Sequence, residues 1–287
     1  CYRAFPLPGI DILCDAVHLG TAKQAQSAAR QEGREGVLSE LYGVTHWDFD
    51  FRGHKFQGDW QAALGITQRV PHLSWTSMEG EAKRDYPASI HYQSPWYKEY
   101  GYIEDHFARL NTVLTRGKPV VNIGVIHPIE SYWLHWGPGD TGGARRQVLE
   151  ERFRDLTHWL LQGLVDFDFI SEASLPDLGG VEAGTLRVGQ MRYDVVLVPG
   201  CETLRTATLE RLEAFRQAGG RLLFLGEPPR LENALPSRRG ERLARSAAVL
   251  PFERSALLTA LADRRFCTLR EENGEECRRY VGQIRQD

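Results

Sequence analysis

The segment YDVVLV at residues 193–198, followed after a helical stretch by RLLFL at 221–225, decides the architecture of the second half of this chain. Both runs are short, apolar and without polar alternation. A strand with one wet face alternates; a strand that does not is covered on both faces, as parallel strands are when crossover helices pack above and below. Between the two runs, Thr206–Gly219 has helical spacing and stops at Gly219-Gly220, the residue type that ends helices in a left-handed turn. Working outward, Val120–Ile126 and Phe167–Ile170 predict two more buried strands, with a helix over Glu150–Gly163 between them. Ala256–Ala262 predicts a further helix, and Cys267–Gln283 a strand pair turning at Asn273-Gly274. The pattern is that of a doubly wound parallel sheet.

The first half repeats the strand-helix alternation with different chemistry. Ile10–Leu13, Val37–Glu40 and Thr67–Trp75 predict strands. Thr21–Gly33, Arg52–Leu64 and Ile103–Thr115 predict helices, the second with Phe56, Trp60 and Leu64 on one face and the third with Ile103, Phe107, Leu110 and Leu114 in register. A long loop, Thr76–Tyr97, is dense in Tyr, His, Trp and Pro. All nine histidines lie at or before His158 and all seven tryptophans at or before Trp159, whereas the remainder is rich in Arg, Leu, Ala and Glu. Imidazoles and aromatics suit a polar-ligand site, and Leu, Ala and Arg suit packed helices. This divides the chain into residues 1–118, 119–255 and a further region, 256–287.

The 287 residues carry a net charge of -3, with 42% hydrophobic and 25% charged residues. That balance fits a globular protein and disfavours nucleic acid or an anionic membrane surface as partner. No apolar run approaches the roughly 18 residues of a membrane span. Cys1, Cys14, Cys201, Cys267 and Cys277 are odd in number, widely spaced and free of any C-x-x-C pair, which predicts a reducing, cytoplasmic setting rather than a disulfide framework or zinc site. The chain opens on Cys1 rather than Met, as a fragment or processed product would.

Glu40 ends the predicted strand Val37–Glu40 and precedes a loop with Thr45, His46, Trp47, Asp48 and Asp50. In barrels of parallel strands the catalytic groups sit at the C-terminal strand ends. A carboxylate there, beside aromatics that can stack on a sugar ring, fits glycoside cleavage, which needs one carboxyl to protonate the leaving oxygen and another to attack or to activate water. The plainer alternative is that Glu40 anchors a loop through an ion pair. His72 and Trp75 end the next strand and line the same mouth in this reading. Glu79, Lys83, Arg84, Asp85, His91, Tyr92, Trp96 and Tyr97 crowd the following loop as candidate substrate contacts, with Glu79 or Glu81 as a fallback second carboxylate. Asp48 and Asp50 together with Glu40 form a weak cation-binding pattern.

VLSELYG (37–43), GDWQAALGITQRVPHLSW (58–75), KRDYPASIHYQSPWY (83–97) and IEDHFARLNTVLTRGKPVVNIGVIHP (103–128) resemble bacterial glycoside hydrolases that join a TIM barrel to a flavodoxin-like domain, the family 42 β-galactosidases and family 106 α-L-rhamnosidases. The resemblance implies the C-terminal part of a (β/α)8 barrel followed by a flavodoxin-like, class I glutamine amidotransferase-like domain. It implies that Val37–Glu40 is the seventh barrel strand and Arg69–Trp75 the eighth, with Glu40 the nucleophile or the general base. The acid/base carboxylate is expected on a fourth strand, upstream of Cys1. The implied substrate is a terminal sugar of a glycan, and the second domain is of a type that forms homo-oligomers. No cofactor is called for.

Two alternatives stand beside this reading. One is a noncatalytic carbohydrate-binding or assembly protein on a degenerate barrel. The other concerns Cys201 in VPGCE (198–202), roughly where amidotransferases of this fold carry a nucleophilic cysteine. Such a thiol needs a histidine base, and no histidine follows His158. A G-x-G-x-x-G dinucleotide fingerprint is absent. IESYWLHW (129–136) is expected at an interdomain or subunit contact.

Overall fold

The computed structural model describes residues 2–84, 86 and 88–286. The chain divides into two compact units, Cys1–Pro119 with Val281–Asp287, and Val120–Tyr280. Residues 256–280 therefore belong to the second unit and 281–287 to the first, rather than forming a separate region from residue 256.

The first unit is three successive strand-helix pairs: β1 (Gly9–Asp11), α1 (Leu19–Glu32), β2 (Val37–Leu41), α2 (Phe51–Ala63), β3 (Ile66–Pro71) and α3 (Gly101–Leu114). The strands pair in parallel in the order β1-β2-β3. After α3, a short strand β4 (Lys118–Pro119) pairs antiparallel with Arg285–Gln286. Side chains alternate across the sheet. Ile10, Val37, Ser39, Leu41 and Ile66 are buried, whereas Gly9, Asp11, Gln68 and Val70 are exposed and Leu38 and Glu40 half-buried. One face of the sheet is thus packed and the other is open within this unit.

The helices explain their burial locally. On α1 the buried face is Leu19, Ala22, Lys23, Ala25, Gln26, Ser27 and Ala29, spaced by three and four residues. Its polar members bond to each other, Lys23 Nζ to Gln26 Oε1 at 2.6 Å and Ser27 Oγ to the Lys23 carbonyl at 2.6 Å. On α2 the buried stripe is His54, Gln57, Gly58, Trp60 and Gln61. Phe56, expected on that face, is 54% exposed, because the stripe centres near the 57/61 row, about a third of a turn away from position 56. Gly58 is required by close packing: a Cβ there would sit 2.0 Å from Phe107 Cζ on α3.

Strand ends differ from the sequence expectation in two places that matter for the site. β2 continues one residue past Glu40, to Leu41, and β3 stops at Pro71, so His72 and Trp75 lie in the loop beyond it. Proline cannot donate to a ladder; His72 N still reaches the Leu41 carbonyl at 2.8 Å.

The second unit contains β5 (Ile123–Ile126), α4 (Ile129–Trp133), α5 (Gly143–Gln162), β6 (Asp168–Ile170), α6 (Leu175–Leu178), β7 (Gly179–Glu182), β8 (Thr185–Val188), β9 (Met191–Tyr193), β10 (Val195–Pro199), β11 (Thr203–Leu204), α7 (Thr206–Gln217), β12 (Arg221–Leu225), β13 (Leu231–Glu232), β14 (Leu235–Pro236), α8 (Arg239–Ala244), β15 (Ala248–Leu250) and α9 (Arg254–Ala260). Five of these strands make one parallel sheet in the order β15-β12-β10-β5-β6. Every residue of β5, β6 and β10 is buried, the mark of a sheet covered on both faces. Val196, Val198, Leu222 and Phe224 pack with Leu209, Leu212 and Phe215 of α7 and with Leu243 of α8, each full burial contributing about 2 kcal/mol.

The sequence reading missed an antiparallel three-stranded sheet, β7-β8-β9, inserted between β6 and β10. It also ran Tyr193 into the following strand. Tyr193 instead closes β9, and its hydroxyl hydrogen-bonds to Asp168 Oδ2 at 3.0 Å. The expected strand pair within Cys267–Gln283 is reduced to a single antiparallel bridge, Arg270 to Glu276.

Candidate active site

Glu40 lies on the open face of β2, one residue before the strand ends. The β1–β2 register sets Asp11 directly opposite Glu40. Partners in register on neighbouring parallel strands point to the same face, with backbones about 4.8 Å apart. Two carboxylates thus share the mouth of the sheet. The reading of the sequence overlooked Asp11; the alternation Gly9-Ile10-Asp11, with its middle residue buried and its outer two exposed, is the signal that identifies it. The pairing continues past the strands, with Ile12 N on the Glu40 carbonyl and Cys14 N on the Gly43 carbonyl, each at 2.9 Å.

His72 Nε2 stands 3.7 Å from Glu40 Oε1. The ring reaches that position by lying against Gly43, where a Cβ would be 2.8 Å from His72 Cδ2. His72 Nδ1 is buried without a hydrogen-bond partner among the described residues, so the ring has a free polar edge on its inner side.

The loop after β2 is strained. Tyr42 (φ 72°), Val44 (φ 59°) and His46 (φ 64°) all adopt left-handed backbone conformations, at a cost of about 1–3 kcal/mol each. The strain is held by a buried network beneath it. Tyr42 is buried; its hydroxyl donates to the His54 carbonyl at 3.1 Å and accepts from Arg69 at 3.4 Å. Burial pushes its phenol up to about 12, so it stays a neutral donor. Thr45 Oγ1 caps the turn on the Tyr42 carbonyl at 2.7 Å. Arg69 in turn donates to Glu104 at 2.7 Å and lies 3.9 Å over the Phe107 ring. His54, packed against Tyr42 and Phe49, has its protonation disfavoured by burial.

The other candidate side chains divide by environment. His46 and Trp47 are exposed on the strained loop. Trp75 is half-buried, and its carbonyl accepts from Gln93 at 2.6 Å. Tyr92 bonds the Thr76 carbonyl at 2.8 Å, and His91 stands edge-on to its ring. The loop is thereby folded back on its own start. Glu79 and Arg84 are exposed, and Asp85 lies outside the described residues. Trp96 is turned toward the scaffold, edge-on to Phe51 of α2. Asp50, weighed as a cation ligand, is the N-cap of α2 and accepts from the backbone of Arg52 and Gly53. No group of three His, Cys, Asp or Glu among the described residues is placed to hold a metal.

In the second unit Cys201 is buried, and burial together with the nearby Glu172 and Glu130 carboxylates raises its thiol well above the usual range. His135, upstream in the chain, bonds Glu202, the residue after Cys201, at 2.8 Å. It is engaged with that carboxylate, and the thiol is held in its un-ionised, unreactive form. In IESYWLHW, Trp133 and Trp136 are exposed, with Arg146 lying 4.8 Å over the Trp136 ring. No helix among the described residues is long and apolar enough to cross a membrane.

Neither a protein-family model nor a curated protein matches the sequence. Solved structures do match by shape. A rhamnosidase from Novosphingobium sp. PP1Y superposes with a TM-score of 0.62 at 16% identity, over 91% of this chain and 26% of that one. A β-galactosidase from Bacillus circulans sp. alkalophilus gives 0.54 at 16% identity, over 82% and 35%. A GH42 β-galactosidase from G. stearothermophilus gives 0.52 at 13% identity, over 82% and 36%. The chain shares a fold with part of these glycoside hydrolases and spans about a quarter to a third of their length.

Proposed function

We propose that this chain is part of a glycoside hydrolase, the C-terminal segment of a (β/α)8 barrel joined to a flavodoxin-like domain. The observation that carries the reading is Glu40: a carboxylate on the open face at the end of a parallel strand, level with Asp11 and beside His72. The order of the five-stranded sheet, in which the second strand flanks the first on one side and the third, fourth and fifth follow on the other, supports the flavodoxin-like assignment. In the proposed reaction Glu40 either attacks the anomeric carbon or removes a proton from the attacking water. His72 orients the Glu40 carboxylate or a sugar hydroxyl bridging the two. The leaving oxygen is protonated by Asp11 or by a carboxyl group on a strand outside these three. Trp47 and Trp75 offer apolar faces to a terminal sugar. Assembly into homo-oligomers through the second unit belongs to the same reading.

The test is Glu40→Gln in the full-length parent, assayed on a panel of aryl glycosides. A loss of turnover on the order of 10²-fold or more supports the role; unchanged turnover removes Glu40 from the mechanism. The exposed Tyr92, His91 and Trp47 also favour a second reading, sugar binding without cleavage, which calorimetry separates by finding saturable binding and no product.

A further inference from the structure

Over the C-terminal ends of β10 and β12 the second unit has a cleft of about 420 Å³, walled by Arg145, Arg152, Gly200, Cys201, Glu202, Glu227, Pro228, Arg230 and Leu231. Its location is the place where open parallel sheets bind ligands, beyond the carboxyl ends of the strands. Its volume suits a small molecule.

The charges in the cleft do not cancel locally. Glu202 is consumed: Arg145 Nε and His135 Nε2 both bond its carboxylate, which holds it below the usual carboxylate range despite burial. Arg152 has no acidic partner among the described residues. Its guanidinium instead lies over the Phe252 ring, 5.2 Å from the centroid, an arrangement that fixes the plane and leaves the N–H edges free to donate. Gly200, with φ 59°, brings bare backbone beside it: an added Cβ would stand 3.6 Å from Arg152 NH1. Among the described residues Arg230 meets Glu227 at 3.5 Å and Glu241 at 4.0 Å, with Arg230 and Glu227 exposed and Glu241 half-buried, and such surface pairs contribute at most about 1 kcal/mol. Besides Arg145, which is tied to Glu202, two guanidinium groups therefore face a cleft whose other lining carboxylate, Glu227, is held only by its exposed pair with Arg230, while Pro228, Leu231 and the un-ionised Cys201 supply apolar wall.

We propose that this cleft binds a small organic oxyanion, a carboxylate or a phosphate monoester, with Arg152 as the bidentate anchor and Arg230 closing on it in place of Glu227. Planar guanidinium forks match both head groups in a way that ammonium groups do not. The cleft is lined by residues of the second unit alone and does not depend on the glycosidase reading.

The reporter is built in. Trp159 lies 5.2 Å from the Phe252 ring that carries Arg152, so its fluorescence is expected to change when a ligand engages Arg152. The full chain is titrated at low ionic strength, where exposed charges are least screened, with succinate, inorganic phosphate and, as a neutral control, glucose. Saturable binding of succinate, phosphate or both, with an affinity lowered roughly tenfold or more in Arg152→Gln and in Arg230→Gln, is expected, and the preferred probe identifies the head group. Arg230 is exposed, so its replacement leaves the fold intact and decides the matter even if Arg152→Gln is unstable. No saturable binding of either anion up to about 10 mM, equal binding of glucose, or anion affinity unchanged in Arg230→Gln would overturn the proposal.

Discussion

Asp11 and Glu40 stand opposite each other on neighbouring parallel strands, so that two carboxylates share one face at one level of the sheet. Asp11 is exposed and has no packing role that its loss would disturb. Asp11→Asn in the full-length parent is expected to leave the melting temperature unchanged and to lower kcat/KM on the best aryl glycoside by about 10²-fold or more, the size of a lost general acid or base. A change below threefold would mark Asp11 as a bystander.

Val44 is a β-branched residue held at φ 59°, where a Cβ is penalised by about 1–2 kcal/mol. Val44→Ala and Val44→Gly both remove the side chain, but only the glycine variant removes the backbone penalty. The glycine variant is expected to be the more stable by about 1 kcal/mol in urea melts, the reverse of the order found in helices and strands. Alanine at least as stable as glycine would show that the loop carries no such strain.

Gly58 and Phe107 hold α2 and α3 in contact, and a Cβ at position 58 would fall 2.0 Å from the ring. Gly58→Ala is expected to destabilise the first unit by about 2–3 kcal/mol. Combining it with Phe107→Leu should recover part of that loss, a coupling that a double-mutant cycle measures directly. Strict additivity would mean that the two positions do not press on each other.

Glu172 is buried in the second unit and accepts from Arg205 N at 2.7 Å. Burial is the main cause that raises its carboxyl to about 7 from 4.5. The folded protein then holds a proton between pH 4.5 and 7 that the unfolded chain has released. The stability contributed by this group is full below pH 4.5 and is lost as the pH rises through about 7, by an amount on the order of 3 kcal/mol. Chemical denaturation at pH 5 and pH 7.5 should show this decline, and Glu172→Gln should flatten it. An equal decline in the variant would assign the effect to other groups.

The legible part of the fold was set by runs of residues that need only their neighbours in sequence. The strand RLLFL has the same limits in the structure as in the sequence reading, and the helices over Thr206–Gln217 and Gly101–Leu114 shift by no more than two residues. β7, β8 and β9 are three or four residues long, too short for a period to emerge. They hold because Leu186, Val188 and Tyr193 join the core on which α7 also packs.

The sequence by itself determined that parallel strands alternate with helices, that one half carries imidazoles and aromatics, and that an acidic residue, Glu40, falls near a strand end. Periodicity, glycine stops and apolar runs are local properties, written residue by residue. Only the tertiary structure decided that Asp11 faces the same way as Glu40, that His72 comes within 3.7 Å of it, and that His135 reaches Glu202 across 67 residues. Those relations follow from strand register and from where packed helices leave their loops. Register is fixed by the burial of one whole face at once, which no stretch of sequence carries alone.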